Sequence, residues 1–190
     1  MKRILAFAFL AVGGCATPTA KAPPSFFANL SALCGKAFEG RIASPPVEAD
    51  ASFAGKRLVM HVRECSADTI RIPFHVGDDR SRTWVVTRTT TGYRLKHDHR
   101  HADGSEDTVT QYGGDSVTPV TADRQEFPAD TFTKALLMRE GNAPGVANVW
   151  AVEVHRGRIF AYELRRPGRF FRVEFDLTRP VAPPPPPWGS

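Results

Sequence analysis

Apolar and polar residues alternate along most of this chain. In TIRIPFHV, residues 69–76, Ile70, Ile72, Phe74 and Val76 fall on one face and Arg71, Pro73 and His75 on the other. RLVMHVRE, residues 57–64, sets Leu58, Met60 and Val62 against Arg57, Val59 and His61. The period returns through Trp150, Val152 and Val154, through Phe160, Tyr162 and Leu164, and through Phe171, Val173, Phe175 and Leu177. A period of two over runs this short predicts half-buried antiparallel strands. The breaks CSAD, TTTG, ADGS, HRGR and RPGR are hairpin-sized and rich in turn formers. GDDRSR reads as a further loop, ahead of the strand TWVVTRT. One helix is predicted over Ala129–Glu140, with Asp130 as N-cap and Phe132, Leu136 and Leu137 on its buried face.

Eight to ten such strands have to hide their edges, and closing into an up-and-down antiparallel barrel does so completely. The predicted fold is therefore an all-β barrel over residues 26–180 with one short helix. A barrel of that size holds at most one small ligand. This architecture resembles the lipocalin (calycin) and fatty-acid-binding proteins, although GKAFEGRI stands where lipocalins carry a Gly-x-Trp signature. The polar faces carry Arg, Lys, Glu and Asp, which argues against a membrane-spanning barrel, whose outer face is apolar.

The N-terminus reads MKRILAFAFLAVGGCATP. Lys2 and Arg3 precede an apolar run, Ile4–Val12, that is too short to span a bilayer of about 30 Å and has the flanks of a secretory signal. Val12-Gly13-Gly14-Cys15 resembles the lipobox of bacterial lipoproteins. That resemblance implies removal of residues 1–14, lipidation of Cys15 and, with Ala16 following, an outer-membrane destination facing the periplasm or the cell surface. The other reading is an ordinary signal peptide with a chance cysteine. Residues 15–25 then form a lipidated tether, and the chain as a whole resembles an uncharacterised group of bacterial secreted lipoproteins. At the other end, residues 181–190 hold five consecutive prolines, Pro183–Pro187, which favour an extended polyproline conformation. Three readings stand: a stiff exposed tail, a docking peptide for an envelope protein, or a segment folded back with Trp188 as anchor.

The formal net charge is +5, and two of the 25 basic side chains leave with the signal. Such a mild balance, without basic runs interleaved with aromatics, gives no reason to expect nucleic acid. The size suits a monomer of one domain. With Cys15 lipidated, Cys34 and Cys65 remain as a pair in an oxidising compartment. A disulfide between them adds about 3 kcal/mol; two buried free thiols are the alternative.

Candidate chemistry concentrates in RLKHDHRHADGSED, residues 94–107. Asp103-Gly104 predicts a two-residue type I′ hairpin turn, which pairs His101 with Glu106 and His97 with Thr110. One face then carries Tyr93, Leu95, His97, His99 and His101, beside Tyr112. The opposite face is charged and belongs in solvent, so the histidine face points inward, apolar near Tyr93 and polar toward the turn, as at a barrel mouth. Same-face neighbours on a strand lie about 6.6 Å apart, whereas zinc–nitrogen bonds are about 2.0–2.1 Å. At most two of these histidines can share one ion, His99 with His101 or His97 with His99, and His99, His101 and Glu106 form the candidate zinc set, with His61 or His75 as further ligands. Satisfied inward histidines and ligand contacts are the competing readings, and no cofactor is otherwise predicted.

Arg80 and Arg82 in GDDRSRTW read either as a self-neutralised surface turn or as a rim for an anionic group, since guanidinium binds carboxylate or phosphate in bidentate fashion. The ligand-binding candidates are thus His97, His99, His101, Tyr112, Arg80 and Arg82. YELRRPGRFFRVEF reads as a terminal hairpin with basic residues near its turn, facing solvent or anionic lipid headgroups. Neither Ser81 nor the glycines of QYGGD carry a nucleophile or phosphate-loop signature. Three functions follow: a lipid-anchored barrel binding a small ligand, a metal-dependent enzyme using the His99/His101/Glu106 rim, or an envelope interaction protein with a filled barrel.

Overall fold

The computed structural model describes residues 25–117 and 120–190. The expected signal segment, Cys15 and all of the tether except Ser25 lie outside these residues. Helix α1 (Phe26–Ser31) leads into β1 (Ala37–Ile42), β2 (Leu58–His61) and β3 (Glu64–Cys65). Strands β4 (Thr69–Val76), β5 (Asp79–Arg88) and β6 (Tyr93–His99) follow. β7 (Tyr112–Asp115) and β8 (Arg124–Pro128) precede α2 (Thr131–Arg139). β9 (Val149–His155), β10 (Ile159–Arg166) and β11 (Arg169–Val181) complete the chain's regular structure.

All ladders are antiparallel, and the order around the sheet is β7-β6-β5-β4-β2-β1-β11-β10-β9-β8, with β3 paired only to β4. The fold is the nearly closed all-β barrel that the alternation predicts. Its first and last strands pair with each other, Ala37 opposite Val181 and Ile42 opposite Val173. The break in the ladder therefore falls in mid-chain, between β7 and β8.

That seam is sealed by single contacts in place of a ladder. The Val117 amide donates to the Glu126 carbonyl (3.0 Å), and the Asp130 amide to the Gly113 carbonyl (3.0 Å). Fully buried Thr133 on α2 serves both backbone groups of Gly113: its hydroxyl accepts from the amide (2.7 Å) and donates to the carbonyl (2.8 Å). The approach is too close for a side chain. Across the seam a Cβ on Gly114 would meet the Pro128 carbonyl at 1.9 Å, and on the β6 side one on Gly113 would meet the Leu95 carbonyl at 1.9 Å.

Inward residues form columns that run from apolar to polar. On β10 the column is Phe160, Tyr162, Leu164, Arg166, and on β11 it is Phe175, Val173, Phe171, Arg169. The apolar end is plugged by α1, whose first turn is capped by Ser25 (Ala28 N–H to Oγ, 3.2 Å). Its Phe26 and Phe27 pack on Tyr93 with ring centroids 5.2 and 6.3 Å away. This helix was not among the predicted elements, because FFANLS is too short to express a helical period. On α2, Leu136 and Leu137 are buried as predicted, but Phe132 is exposed and lies beneath the Lys96 ammonium.

Two local expectations change, and the C-terminal segment takes a definite place. Asp79–Arg82 are not loop but the start of β5, and Gly77-Asp78 alone make the turn. The 100–106 hairpin is not a two-residue type I′ turn: Gly104 has a positive φ and Asp103 does not. The His101 carbonyl accepts from Gly104 and its amide donates to Ser105 (both 2.9 Å), a three-residue loop ending in a left-handed glycine. The ladder beyond is shifted, with His97 opposite Tyr112 instead of Thr110. Finally, the proline-rich segment lies back along the barrel. The Trp188 amide donates to the Arg80 carbonyl (3.1 Å), the Arg80 guanidinium donates to the Pro186 carbonyl (3.1 Å), and Gly189 packs against Gly104 and Arg100.

Cys34 and Cys65 are joined, with their Cα atoms 6.3 Å apart, and tie the turn after α1 to β3. Thiol titration of the unfolded, unreduced chain is expected to find neither of them free, and reduction to cost about 3 kcal/mol; two reactive thiols would refute the bridge. At the seam, Thr133→Val is expected to cost about 1–3 kcal/mol in urea unfolding, and Gly114→Ala more than about 3 kcal/mol. A wild-type midpoint for Gly114→Ala would show that β7 and β8 are not packed this closely.

Candidate functional site

At the polar end the columns do not meet, and a cavity of about 340 Å³ remains, open to solvent on one side. Its deep wall is aromatic. Trp84 on β5 stacks on Tyr162 of β10 (centroids 4.4 Å) and on Phe74 of β4 (4.8 Å). Across the seam side, the Tyr112 ring stacks on His97 (4.4 Å), and both contact Trp150 of β9 at 5.5 and 5.2 Å. Phe53, on the β1–β2 connection, joins Phe171 at 5.0 Å. The stretch from α2 to β9 adds Leu137, Asn142 and Asn148.

His97 is built into this wall. It is 2 % exposed, with Nδ1 3.0 Å from the Tyr112 carbonyl and Nε2 2.7 Å from the Tyr162 hydroxyl. A carbonyl only accepts, so Nδ1 carries the proton and Nε2 accepts from Tyr162. Burial pushes the His97 pKa down from 6.5 to about 3, against the raising effect of the Tyr112 carbonyl. His99 lies one pleat nearer the mouth, its Nε2 3.1 Å from the Tyr112 hydroxyl. Burial, then the nearby Arg82 charge, lower it to about 4, while Asp107, Asp79 and Asp98 pull the other way. Burial also raises both phenols, Tyr112 and Tyr162, above their ordinary value of 10.0. At neutral pH all four rings are therefore uncharged.

Charge at the mouth comes from Arg82, Arg166, Arg169 and Asp107. Arg82 is held by Asp79 at 2.6 Å. Burial pushes the Asp79 carboxyl up, but the hydrogen bonds from Ser81 and the Arg82 guanidinium outweigh it, and the net pKa is lowered. Arg169 grips the buried carboxylate of Asp50 with two guanidinium nitrogens. Arg166 donates to the neutral Asn148 Oδ1 (2.9 Å) and has no carboxylate partner among the described residues. Asp107 accepts from the Val109 amide (2.9 Å) and has no Lys or Arg partner among them.

Of the sequence candidates, the structure brings His97, His99, Tyr112 and Arg82 to one cavity. It does not bring the others there. His101 is exposed in the hairpin turn. Glu106 pairs with Arg100 at 3.1 Å, and Arg80 is outside, under the C-terminal segment. His99, His101 and Glu106 thus do not converge, and among the described residues no three His, Cys, Asp or Glu side chains are grouped to hold a metal. His61 and His75 face outward, away from the cavity.

Arg166 and Arg169 were not among the predicted site residues; the terminal basic hairpin was expected to face solvent or lipid. The signal was present in the alternation itself, since Arg166 continues the inward series Phe160, Tyr162, Leu164 by one more step of two. Arg165, one residue off, faces outward and pairs with Glu126 (2.7 Å). Comparison with known protein families, with curated proteins and with solved structures finds no match.

The depressed histidines predict a pH dependence. Their folded-state pKa values lie below the ordinary 6.5, at about 3 for His97 and about 4 for His99. The unfolded chain therefore binds protons that the folded chain refuses. Stability is expected to be full above pH of about 6.5 and to fall as pH drops toward about 4. His97→Gln is expected to flatten that slope. A urea midpoint that is level or rises on acidification across this window would contradict the neutral, buried assignment.

Proposed function

We propose that this protein is a lipid-anchored cell-envelope protein whose barrel binds a small molecule in the cavity at its polar end. The observation that carries the binding reading is the combination of an aromatic pocket, within the size range of small-ligand sites of about 300–1,000 Å³, with two charged groups at its mouth, Arg166 and Asp107, that have no opposite-charge partner among the described residues. A barrel evolved only as a spacer gains nothing from keeping such a space, because filling it with side chains adds packing. The residues around it suit binding better than catalysis. Both ring nitrogens of His97 are engaged, no serine or cysteine among the described residues lines the space, and the tyrosines are held protonated.

The anchor rests on Val12-Gly13-Gly14-Cys15 and the apolar run before it. Lipidation there would hold the barrel at a membrane surface, with the outer membrane as the destination expected from Ala16.

Two measurements test the proposal. In a bacterial host, the chain is expected to incorporate labelled fatty acid and to sediment with membranes, and Cys15→Ala to lose both properties; a Cys15→Ala chain that stays membrane-bound would sink the anchor. Native mass spectrometry of the barrel recovered from the envelope is expected to reveal small-molecule adducts that Leu164→Trp, which fills the cavity, no longer carries. Equal adducts on both proteins would place binding elsewhere.

A further inference from the structure

The shape and charge of the cavity narrow the class of molecule it can take. Its depth is limited. Below Trp84 and Tyr162, Phe160 and Phe175 are fully buried and pack against the Trp84 ring with centroids 6.0 and 6.3 Å away. The rest of the barrel toward α1 is filled, with Ile70, Ile72, Val86 and Leu95 all at 0 % exposure. An extended acyl chain has no channel to occupy. A short, flat body does, because the walls present the rings of Trp84, Trp150 and Phe171, and aromatic faces favour offset or edge-on contact with another ring.

The mouth supplies the polar end. Three guanidinium groups and three carboxylates surround it, so the overall field is balanced and selection is local. Arg82 and Arg169 are each occupied by an acid, Asp79 and Asp50. Arg166 has only the amide oxygen of Asn148, which takes one nitrogen of the guanidinium and leaves the other N–H donors available. It is the guanidinium free to take an acid in bidentate fashion. Asp107 stands on the β6–β7 connection, which is not adjacent to β10 in the barrel, and its carboxylate is directed by the Val109 amide. A second negative charge on the ligand would meet it.

We propose that the cavity takes a planar aromatic monoanion, its ring among Trp84, Trp150 and Phe171 and its acid group on Arg166. This rests on the reading of the cavity as a binding site, and the probes separate the two. The Cys15→Ala chain without residues 1–14, which contains every described element, is titrated calorimetrically with 2-naphthoate, 2-naphthamide, naphthalene-2,6-dicarboxylate and palmitate. The naphthoate is expected to bind about tenfold or more tighter than each of the others, the scale of one charge-assisted bidentate contact. Arg166→Gln is expected to remove that preference over the amide with an unchanged melting temperature. Asp107→Asn is expected to bring the dicarboxylate closer to the monoacid. Equal binding of naphthoate and naphthamide, an Arg166→Gln variant that keeps the preference, or tighter binding of palmitate would overturn the ligand class while leaving a binding barrel. Failure of all four probes to bind the folded chain would overturn the binding reading and the class together.

Discussion

The structure depends on how β7 and β8 meet. Elsewhere the barrel is closed by ladders, including the pair formed by its first and last strands. At this one junction an open edge would leave a row of unpaired amides and carbonyls, a template for unwanted strand addition. The chain closes it by bringing the backbone of Gly114 against Pro128, where no Cβ fits, and by spending the Thr133 hydroxyl on both polar groups of Gly113. Asp130 adds to this from three sides: its amide bonds Gly113, its carboxylate caps α2 at Thr133, and it pairs with Lys96 of β6 at 2.6 Å. The helix that seals the seam also delivers Leu137, Asn142 and Asn148 to the cavity. The position of Asn148, and through it of Arg166, is thus a consequence of the seal.

A barrel that keeps a hollow mouth has to take its rigidity from outside. The outer face of β8 to β11 carries a lattice of opposite charges. Arg124 reaches Glu163 at 2.6 Å, and Arg172 reaches Glu153 at 3.0 Å and Glu174 at 2.8 Å. Isolated surface pairs contribute about 0–1 kcal/mol. A network in which each arginine serves several carboxylates across strands instead fixes their register. The buried Arg169–Asp50 pair is different in kind. Its desolvation offsets much of its attraction, so its value lies in holding the β1–β2 connection, and with it Phe53, over the cavity wall.

Much of this was legible in the sequence, and the limits have physical causes. The period of two gives strand positions and faces without ambiguity, because an inward residue on a pleated strand fixes every second neighbour. That places His97 and His99 inward, and the polar end of the β6 column at a mouth; Arg82, read as part of a loop, turns inward only because β5 starts at Asp79. The turn at 100–106 failed on a finer point: Asp-Gly serves a type I′ turn and a three-residue loop ending in glycine equally well, and the choice changes which residue faces which. His101 lies beyond the end of β6 at His99, in the turn itself, and is exposed. The location of the seam and the β1–β11 pairing are long-range facts with no local signature. Arg166 and Arg169 carry no apolar signal, which ends at Leu164 and Phe171, although pleat geometry continues the inward series regardless of residue type.

The C-terminal segment completes the same division of labour. Five prolines lose little backbone entropy on docking, since the polyproline conformation is already their preferred one. The segment lines a cavity outside the barrel together with His75, whose Nε2 is buried without a hydrogen-bond partner among the described residues; burial, then Arg80 and His61, hold that ring to about 4, with Asp79 opposing. It then bonds Arg80 at the start of β5 and ends against Gly104 and Arg100 at the hairpin. Those two places flank Arg82 and His99 in sequence, on the opposite side of the barrel wall. Arg100 in turn pairs with Asp98 at 2.8 Å, and Asp98 with Arg71 of β4 at 2.7 Å. The mouth on this side is therefore also braced by contacts outside the barrel, which helps the inward faces of the same strands to line a space instead of filling it.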